Sequence, residues 1–325
     1  MSDINKIKKP IVDELESFNS FFSSEIKSSA RLLNIITKFL LKQKGKQLRP
    51  ILVFLSAKLC GEVNKSTHSA ALLIELMHTA TLIHDDVVDV AYKRRGLFSI
   101  NALWKNKVAV LIGDYFLAKG LLHAVKHKEY SILEIVSDAV KEMSEGELLQ
   151  IEKARFLDIN KEIYFEIIKK KTATLIAAAL SAGARSVNAD PTDIAKLKEL
   201  GMYIGIAFQI KDDILDYEGN SGIMGKSAGN DIKEQKITLP LIHLLETSSF
   251  KDKKQIKYII RKQNNNPDKV KWLVNEVISK GGIESAHKTM MEFKDKASKI
   301  LSEFPKNEAH QSLSLVLDYI TQRNK

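Results

Sequence analysis

Apolar residues recur three and four apart along most of this chain. The segments "ILVFLSAKLCG", "HSAALLIELMHTATLIHDD", "VAVLIGDYFLAKGLLHAV", "IYFEIIKKKTATLIAAALSAG" and "IAKLKELGMYIGIAFQIKDDILDY" keep that spacing over several turns, which predicts helices. Several are apolar on more than one face, as helices inside a large bundle are. No run alternates convincingly with the two-residue period of a strand. The prolines at positions 10, 50, 191, 240, 267 and 305 each fall at or near a predicted helix start, where a missing N–H costs little. In "ADPTDIAKL" and "NNPDKVKWL" an Asp or Asn stands just before the proline, a further start signal. After about residue 250 the chain becomes more polar and lysine-rich but keeps the helical period. Residues 219–229, "GNSGIMGKSAG", form the one Gly-rich loop. With no linker and no long repeat, the expectation is one all-α domain over residues 1–325.

Length and composition narrow this little. A chain of 325 residues buries a sizeable core, and a hydrophobic fraction of 44% is ordinary. The single cysteine, Cys60, excludes an intrachain disulfide and a multi-cysteine zinc site, and accords with a reducing compartment. "MSDINKIKKPIVDELESF" lacks the apolar segment of a secretory signal. The longest weakly polar run, residues 172–184, is short of the ~20 residues a membrane span needs. The expectation is a cytoplasmic protein. The net charge of +10 suits an anionic partner, although a solvated lysine-rich surface accounts for it equally well. No helix-turn-helix and no basic stripe interleaved with aromatics is visible, which argues against nucleic acid.

Chemistry enters with a pattern that occurs twice. "TLIHDDVVDVAYKRRG" holds Asp85, Asp86 and Asp89; "FQIKDDILDYEGN" holds Asp212, Asp213 and Asp216. Each is Asp-Asp-x-x-Asp at the end of an apolar helical segment, with the first and last carboxylates one turn apart on a shared face. Three dry carboxylates repel one another, and a helix C-terminus is already negative. A solvated helix end or pairing with lysines would explain one such cluster; two call for cations. Oxygen-only ligands suit Mg²⁺, which keeps waters and takes phosphate oxygens. Basic residues gather nearby: Arg94 and Arg95 after the first motif, Lys226 and Lys236 after the second, Lys171 in an apolar segment, and Lys46 and Arg49 in "KGKQLRP". Metal-bound carboxylates with Arg and Lys make a diphosphate site, and the basic residues suffice for two phosphorylated substrates.

On these residues the chain resembles the trans-isoprenyl diphosphate synthases, or polyprenyl synthetases. The resemblance runs in order from about residue 40 to 245 through "GKQLRP", "ELMHTATLIHDDVVDVAYKRRG", "GDYFLAKG", "KKTATL", "FQIKDDILDYEG" and "GKSAGNDIKEQKITLPLI". It implies a single large bundle of antiparallel helices around a deep central cavity, as a homodimer. It implies head-to-tail condensation of isopentenyl diphosphate onto an allylic diphosphate. Asp85, Asp86 and Asp89 would hold several Mg²⁺ ions on the allylic diphosphate, with Asp212 and Asp216 doing so from a facing wall and Asp213 behind them. Arg94, Lys171, Lys226 and Lys236 would grip that diphosphate. Lys46, Arg49, His78 and Arg95 would bind isopentenyl diphosphate, though His78 reads equally as a core histidine. Thr172 and Gln209 would sit beside the developing cation. Since the departing diphosphate is thought to take the proton, no side-chain base is needed. Lys44, Gln47, Gln235 and Lys211 depart from the common family pattern.

Ala80 and Thr81, about one turn before Asp85, are small where short-chain relatives place an aromatic residue. Leu76 and Met77 follow one turn deeper, and residues 115–125 offer an opposing apolar wall. This favours a medium- to long-chain product, hexaprenyl to octaprenyl, over a farnesyl or geranylgeranyl one, with transient membrane-surface contact for product release. A terpene cyclase and a non-catalytic subunit of a heteromeric synthase are the remaining alternatives. The two complete motifs argue against both, and "GKQLRP" argues further against the cyclase.

Overall fold

The computed structural model describes residues 3–42, 45–94, 97–157, 159–219 and 228–323. Helices account for nearly all of them. In chain order they are α1 (Asp3–Lys8), α2 (Val12–Glu25), α3 (Arg31–Lys42), α4 (Leu48–Cys60), α5 (Lys65–Val88), α6 (Ile100–Lys126), α7 (Tyr130–Phe156), α8 (Lys161–Ile168), α9 (Thr174–Ser186) and α10 (Pro191–Glu218). They continue as α11 (Asn230–Lys233), α12 (Leu239–Thr247), α13 (Phe250–Lys262), α14 (Pro267–Ser279), α15 (Gly282–Leu301) and α16 (Glu308–Gln322). A π-helical turn, Lys169–Ala173, joins α8 to α9. The only strands among the described residues are β1 (Lys93–Arg94) and β2 (Leu97–Phe98), an antiparallel pair too short to leave a periodic trace.

The prolines behave as the sequence predicts. Pro191 and Pro267 open α10 and α14, and Pro240 sits in the first turn of α12. Asp190 Oδ1 accepts the Thr192 N–H at 2.8 Å, and Asn266 Oδ1 accepts those of Asp268 and Lys269 at 3.0 and 3.3 Å. These are N-caps, satisfying donors that have no partner inside the helix.

The chain divides into two compact units. The first comprises Met1–Val140, Leu175–Gly201 and Ile300–Val316; the second comprises Lys141–Thr174, Met202–Lys299 and Leu317–Lys325. In the first unit α4 is almost wholly buried, as are residues 175–184 of α9, so both are apolar all round. In the second unit Tyr217, Ile210 and Ile214 of α10 pack with Ile232, Leu241, Ile259 and Leu273. α6 is long and apolar enough to cross a membrane, with 39% of that window buried. Asp114 and Lys119 interrupt the run, so the sequence shows a helix here without an unbroken apolar span. Leu111, Leu122 and Val125 on this helix are exposed at 67%, 64% and 53%.

Candidate active site

In the first unit, the first aspartate motif ends α5. A capping box fixes the start of that helix: Asn64 Oδ1 accepts the Thr67 N–H and Thr67 Oγ1 accepts the Asn64 N–H, each at 3.2 Å. At its end the Asp89 N–H donates to the Asp85 carbonyl at 2.8 Å. Asp86 is 4% exposed, whereas Asp85 is half-buried and Asp89 exposed. Arg94, on β1, folds back so that its Nε and Nη2 donate to Asp86 Oδ1 at 2.8 and 2.7 Å. Asn101 at the start of α6 donates to the Asp86 carbonyl at 3.1 Å. The middle aspartate thus ties Arg94 to the motif, and the outer two carry the accessible carboxylates.

Arg49 Nη1 donates to His78 Nε2 at 2.8 Å. A guanidinium only donates, so this ring nitrogen is unprotonated. Two of the residues expected to bind isopentenyl diphosphate therefore meet. Lys46 is exposed, and Arg95 lies outside the described residues. Along α5, Ala80, Met77 and Leu76 are buried; Thr81 is half-buried and donates to the His78 carbonyl at 3.0 Å. A Cβ on Gly120 of α6 would lie 2.5 Å from Met77 Cε, so the methionine seats in a notch that α6 provides. His84 packs on α6, its Nε2 3.4 Å from Asp114 Oδ1.

In the second unit, the π-helical turn positions Lys171 and Thr172. Close backbone approach from two sides requires glycine. A Cβ at Gly146 of α7 would lie 2.9 Å from the Lys171 nitrogen, and one at Gly205 of α10 only 2.4 Å from Ala173 Cα. Lys171 Nζ pairs with the Glu147 carboxylate and lies 3.4 Å from Gln150 Oε1. Thr172 Oγ1 donates to Gln209 Oε1 at 2.8 Å, and Gln209 Nε2 donates to Asp213 Oδ1 at 2.9 Å. Tyr164 Oη donates to the other Asp213 oxygen at 2.6 Å. When Asp213 is ionised it accepts only, so Gln209 presents its amide N–H to it. Its carbonyl is left to accept from Thr172, whose oxygen lone pairs then face away from Gln209.

These groups line a pocket of about 160 Å³, polar at Lys171, Thr172, Gln209, Asp213, Asp231 and Lys236 and floored by isoleucines from α8 and the segment before α12. Asp213 is 3% exposed, and burial pushes its carboxyl up to about 7 against the lowering effect of its two donors. Burial likewise pushes Asp231 up to about 8, with Asp213 and Asp216 adding to the rise. Asp212 is raised by burial, which outweighs the Arg323 guanidinium beside it. Arg323 Nη2 donates to Asp212 Oδ1 at 2.5 Å and its guanidinium stacks 4.0 Å from the Phe208 ring centre. Asp216 spends its oxygens on the start of α11, accepting the N–H groups of Asn230 and Asp231 at 3.2 and 3.1 Å. Lys236 Nζ lies 2.6 Å from Glu234 Oε2. Lys226 lies outside the described residues.

The pattern of the polyprenyl synthetase family matches residues 30–277 of this chain. The chain belongs to the polyprenyl synthetase family. It is therefore a prenyltransferase with the all-α isoprenoid synthase fold. Among curated relatives, the all-trans-nonaprenyl-diphosphate synthase (geranyl-diphosphate specific) of Rhodobacter capsulatus is 33% identical over 94% of both chains. A polyprenyl synthase of Caulobacter crescentus, solved with calcium and isoprenyl diphosphate, aligns at a TM-score of 0.92 and 30% identity, covering 99% of this chain and 98% of that one. A geranylgeranyl pyrophosphate synthase of Bacteroides thetaiotaomicron aligns at 0.85 and 38% identity, covering 99% of this chain and 100% of that one.

A divalent cation fits the donor set of this polyprenyl synthetase. Among the described residues no three His, Cys, Asp or Glu side chains cage a metal by themselves. Mg²⁺ does not ask for such a cage: one or two carboxylates, waters and substrate phosphates complete its shell. Burial raises Asp212, Asp213 and Asp231, and a cation beside them would offset that cost of ionisation.

Three residues of the site escape sequence reasoning. Tyr164 stands two turns before Lys171, a spacing that signals a shared face but not a role. Asp231, in "GNDIKEQK", is an acid among cations and could have been suspected. Arg323 gives no local signal at all. Of the departures from the family pattern, Gln235 adopts a positive φ of 58° and Gln47 one of 54°, the left-handed region where glycine is at ease. Lys211 is buried, with its Nζ 3.9 Å from Glu218 Oε2. Lys44 lies outside the described residues.

Proposed function

We propose that this polyprenyl synthetase is a Mg²⁺-dependent polyprenyl diphosphate synthase that condenses isopentenyl diphosphate head-to-tail onto an allylic diphosphate. The observation that carries the reading is the doubled aspartate motif, each copy with a buried middle carboxylate and an accessible first one. Asp85, Asp89 and Asp212 hold the metal ions, and Asp86 and Asp213 fix the motifs. When held there, the ions would supply positive charge for the departing diphosphate as the allylic C–O bond ionises. Arg94, Lys171, Lys226 and Lys236 bind the same group. Thr172 turns its hydroxyl lone pairs towards the developing cation, because its O–H is donated to Gln209. The Arg49–His78 pair, with Lys46 and Arg95, holds isopentenyl diphosphate. Apolar walls keep water from the cation.

The product is of medium to long chain, hexaprenyl to octaprenyl. Ala80 and Thr81 leave room beside the growing tail, and the nonaprenyl synthase relative supports an extended product. The short-chain reading draws on the geranylgeranyl synthase likeness and on the close seat of Met77 at Gly120. The exposed apolar stripe of α6 is the face of a homodimer, and the enzyme works in the cytoplasm with transient membrane contact for product release. Mass analysis of product made by the purified chain from farnesyl and isopentenyl diphosphates tests the reading. Hexaprenyl to octaprenyl diphosphate is expected. A product that stops at geranylgeranyl removes the chain-length assignment, and a cyclised farnesyl product removes the synthase.

A further inference from the structure

α13 collects what the sequence disperses. Along "FKDKKQIKYIIRK" the cations alternate with isoleucines, so no basic stripe is evident by eye. The helix turns Ile256, Ile259 and Ile260 inwards. At 100° per residue the opposite face then gathers Lys251, Lys254, Lys257, Arg261 and Lys262, all exposed, with Phe250 and Tyr258 among them. Phe250 is 75% exposed and Tyr258 56%. Lys254 Nζ sits 4.5 Å from the centre of the Phe250 ring. The one acid of the helix, Asp252, is turned to its cap: Ser249 Oγ donates to Asp252 Oδ2 at 2.7 Å and accepts the Asp252 N–H at 3.2 Å. Among the described residues Lys251, Lys254, Lys257 and Lys262 form no ion pair. The result is a cationic helix face, roughly 20 Å long, carrying two aromatic rings and no carboxylate.

We propose that this face of α13 docks the enzyme on an anionic lipid bilayer. Charge complementarity commits it to that partner. Four to eight Lys and Arg on an amphipathic helix bind anionic headgroups, and aromatic side chains settle at the headgroup level. Its two rings, Phe250 and Tyr258, lie on a single helix, whereas a nucleic-acid strand calls for a groove with stacking platforms. The inference takes its purpose from the long-chain reading: a polyprenyl diphosphate has an anionic head and an apolar tail that only a bilayer accepts.

Flotation of the full chain with vesicles of phosphatidylcholine, alone or with about one-third phosphatidylglycerol, tests it. Binding is expected only to the anionic vesicles, and it should weaken with salt. Each cation near an anionic leaflet contributes about fivefold, so Lys251→Glu with Lys254→Glu and Lys257→Glu should lower partitioning at least about 100-fold. Phe250→Ser with Tyr258→Ser should weaken it about tenfold without removing the salt dependence. A control of equal charge change, Lys27→Glu with Lys65→Glu and Lys198→Glu, should retain binding. Equal loss in both triple variants, no binding by the unmodified chain, or preferential capture of transfer RNA by the same lysines would each overturn the proposal. Condensation assayed without vesicles keeps the two readings apart. Vesicle binding without synthesis sinks only the synthase, and synthesis without vesicle binding sinks only the docking face.

Discussion

Asp86 and Asp213, the middle residues of the two motifs, are the most buried of the six aspartates whose spacing announces the site. Spacing alone does not distinguish them from their neighbours; burial and partners do. Asp86 goes to Arg94, and Asp213 goes to Tyr164 and Gln209. Burial and the nearby Asp213 push the Tyr164 phenol well above its ordinary value, so it stays protonated and keeps donating. Tyr164→Phe removes that donor while keeping the ring. Asp213 then loses one of its two donors and holds Gln209 and Thr172 less precisely, and a misplacement of this kind costs about 10- to 100-fold in rate. Steady-state kinetics should show kcat falling by that factor with little change in KM for either diphosphate. If Tyr164 only fills space, kcat will stay near that of the unmodified enzyme. Thr172 and Gln209 were legible from the family pattern. The tyrosine was not, because a phenol in an apolar helix reads as core.

Elements were legible wherever a local signal exists. Prolines and Asx caps mark the starts of α10 and α14 because they act through the backbone of the same turn. The π-helical turn was invisible: the glycines whose backbone packs against it, Gly146 and Gly205, come from other helices. α6 was legible over residues 108–125, and its first turns lie outside that apolar run. α5 carries the element-scale prediction. Ala80 is fully buried, one turn from Asp85 and one turn above the Met77–Gly120 contact. Ala80→Phe inserts a ring at that level, and mass analysis should show product shortened to about the farnesyl or geranylgeranyl stage with the first condensation still active. The variant should lose roughly 1–3 kcal/mol of stability from overpacking. An unchanged long product would place the growing chain elsewhere.

For the whole molecule, the buried carboxylates couple folding to pH and to metal. Asp213 and Asp231 hold their protons to about 7 and about 8 in the folded chain. An unfolded aspartate loses its proton near ~4, so the folded chain binds more protons between those values. The stability these protons contribute is therefore full below about 4 and is lost as pH rises from there to the folded values of about 7 and about 8. Calorimetry of the metal-free protein from about pH 5 to about pH 9 should show Tm falling by several degrees, and Mg²⁺ with inorganic diphosphate should recover most of the loss. A flat or rising Tm would contradict the burial of those groups. The Arg323–Asp212 contact shows why such coupling lies beyond sequence reading, since 111 positions separate the two residues. The central claim, that both motifs run one metal-dependent condensation, is tested most directly by isopentenyl diphosphate incorporation in Asp85→Ala and Asp212→Ala. Each should lose turnover by about 10³-fold or more while keeping native helical content and melting. Near-normal incorporation in either variant would contradict it.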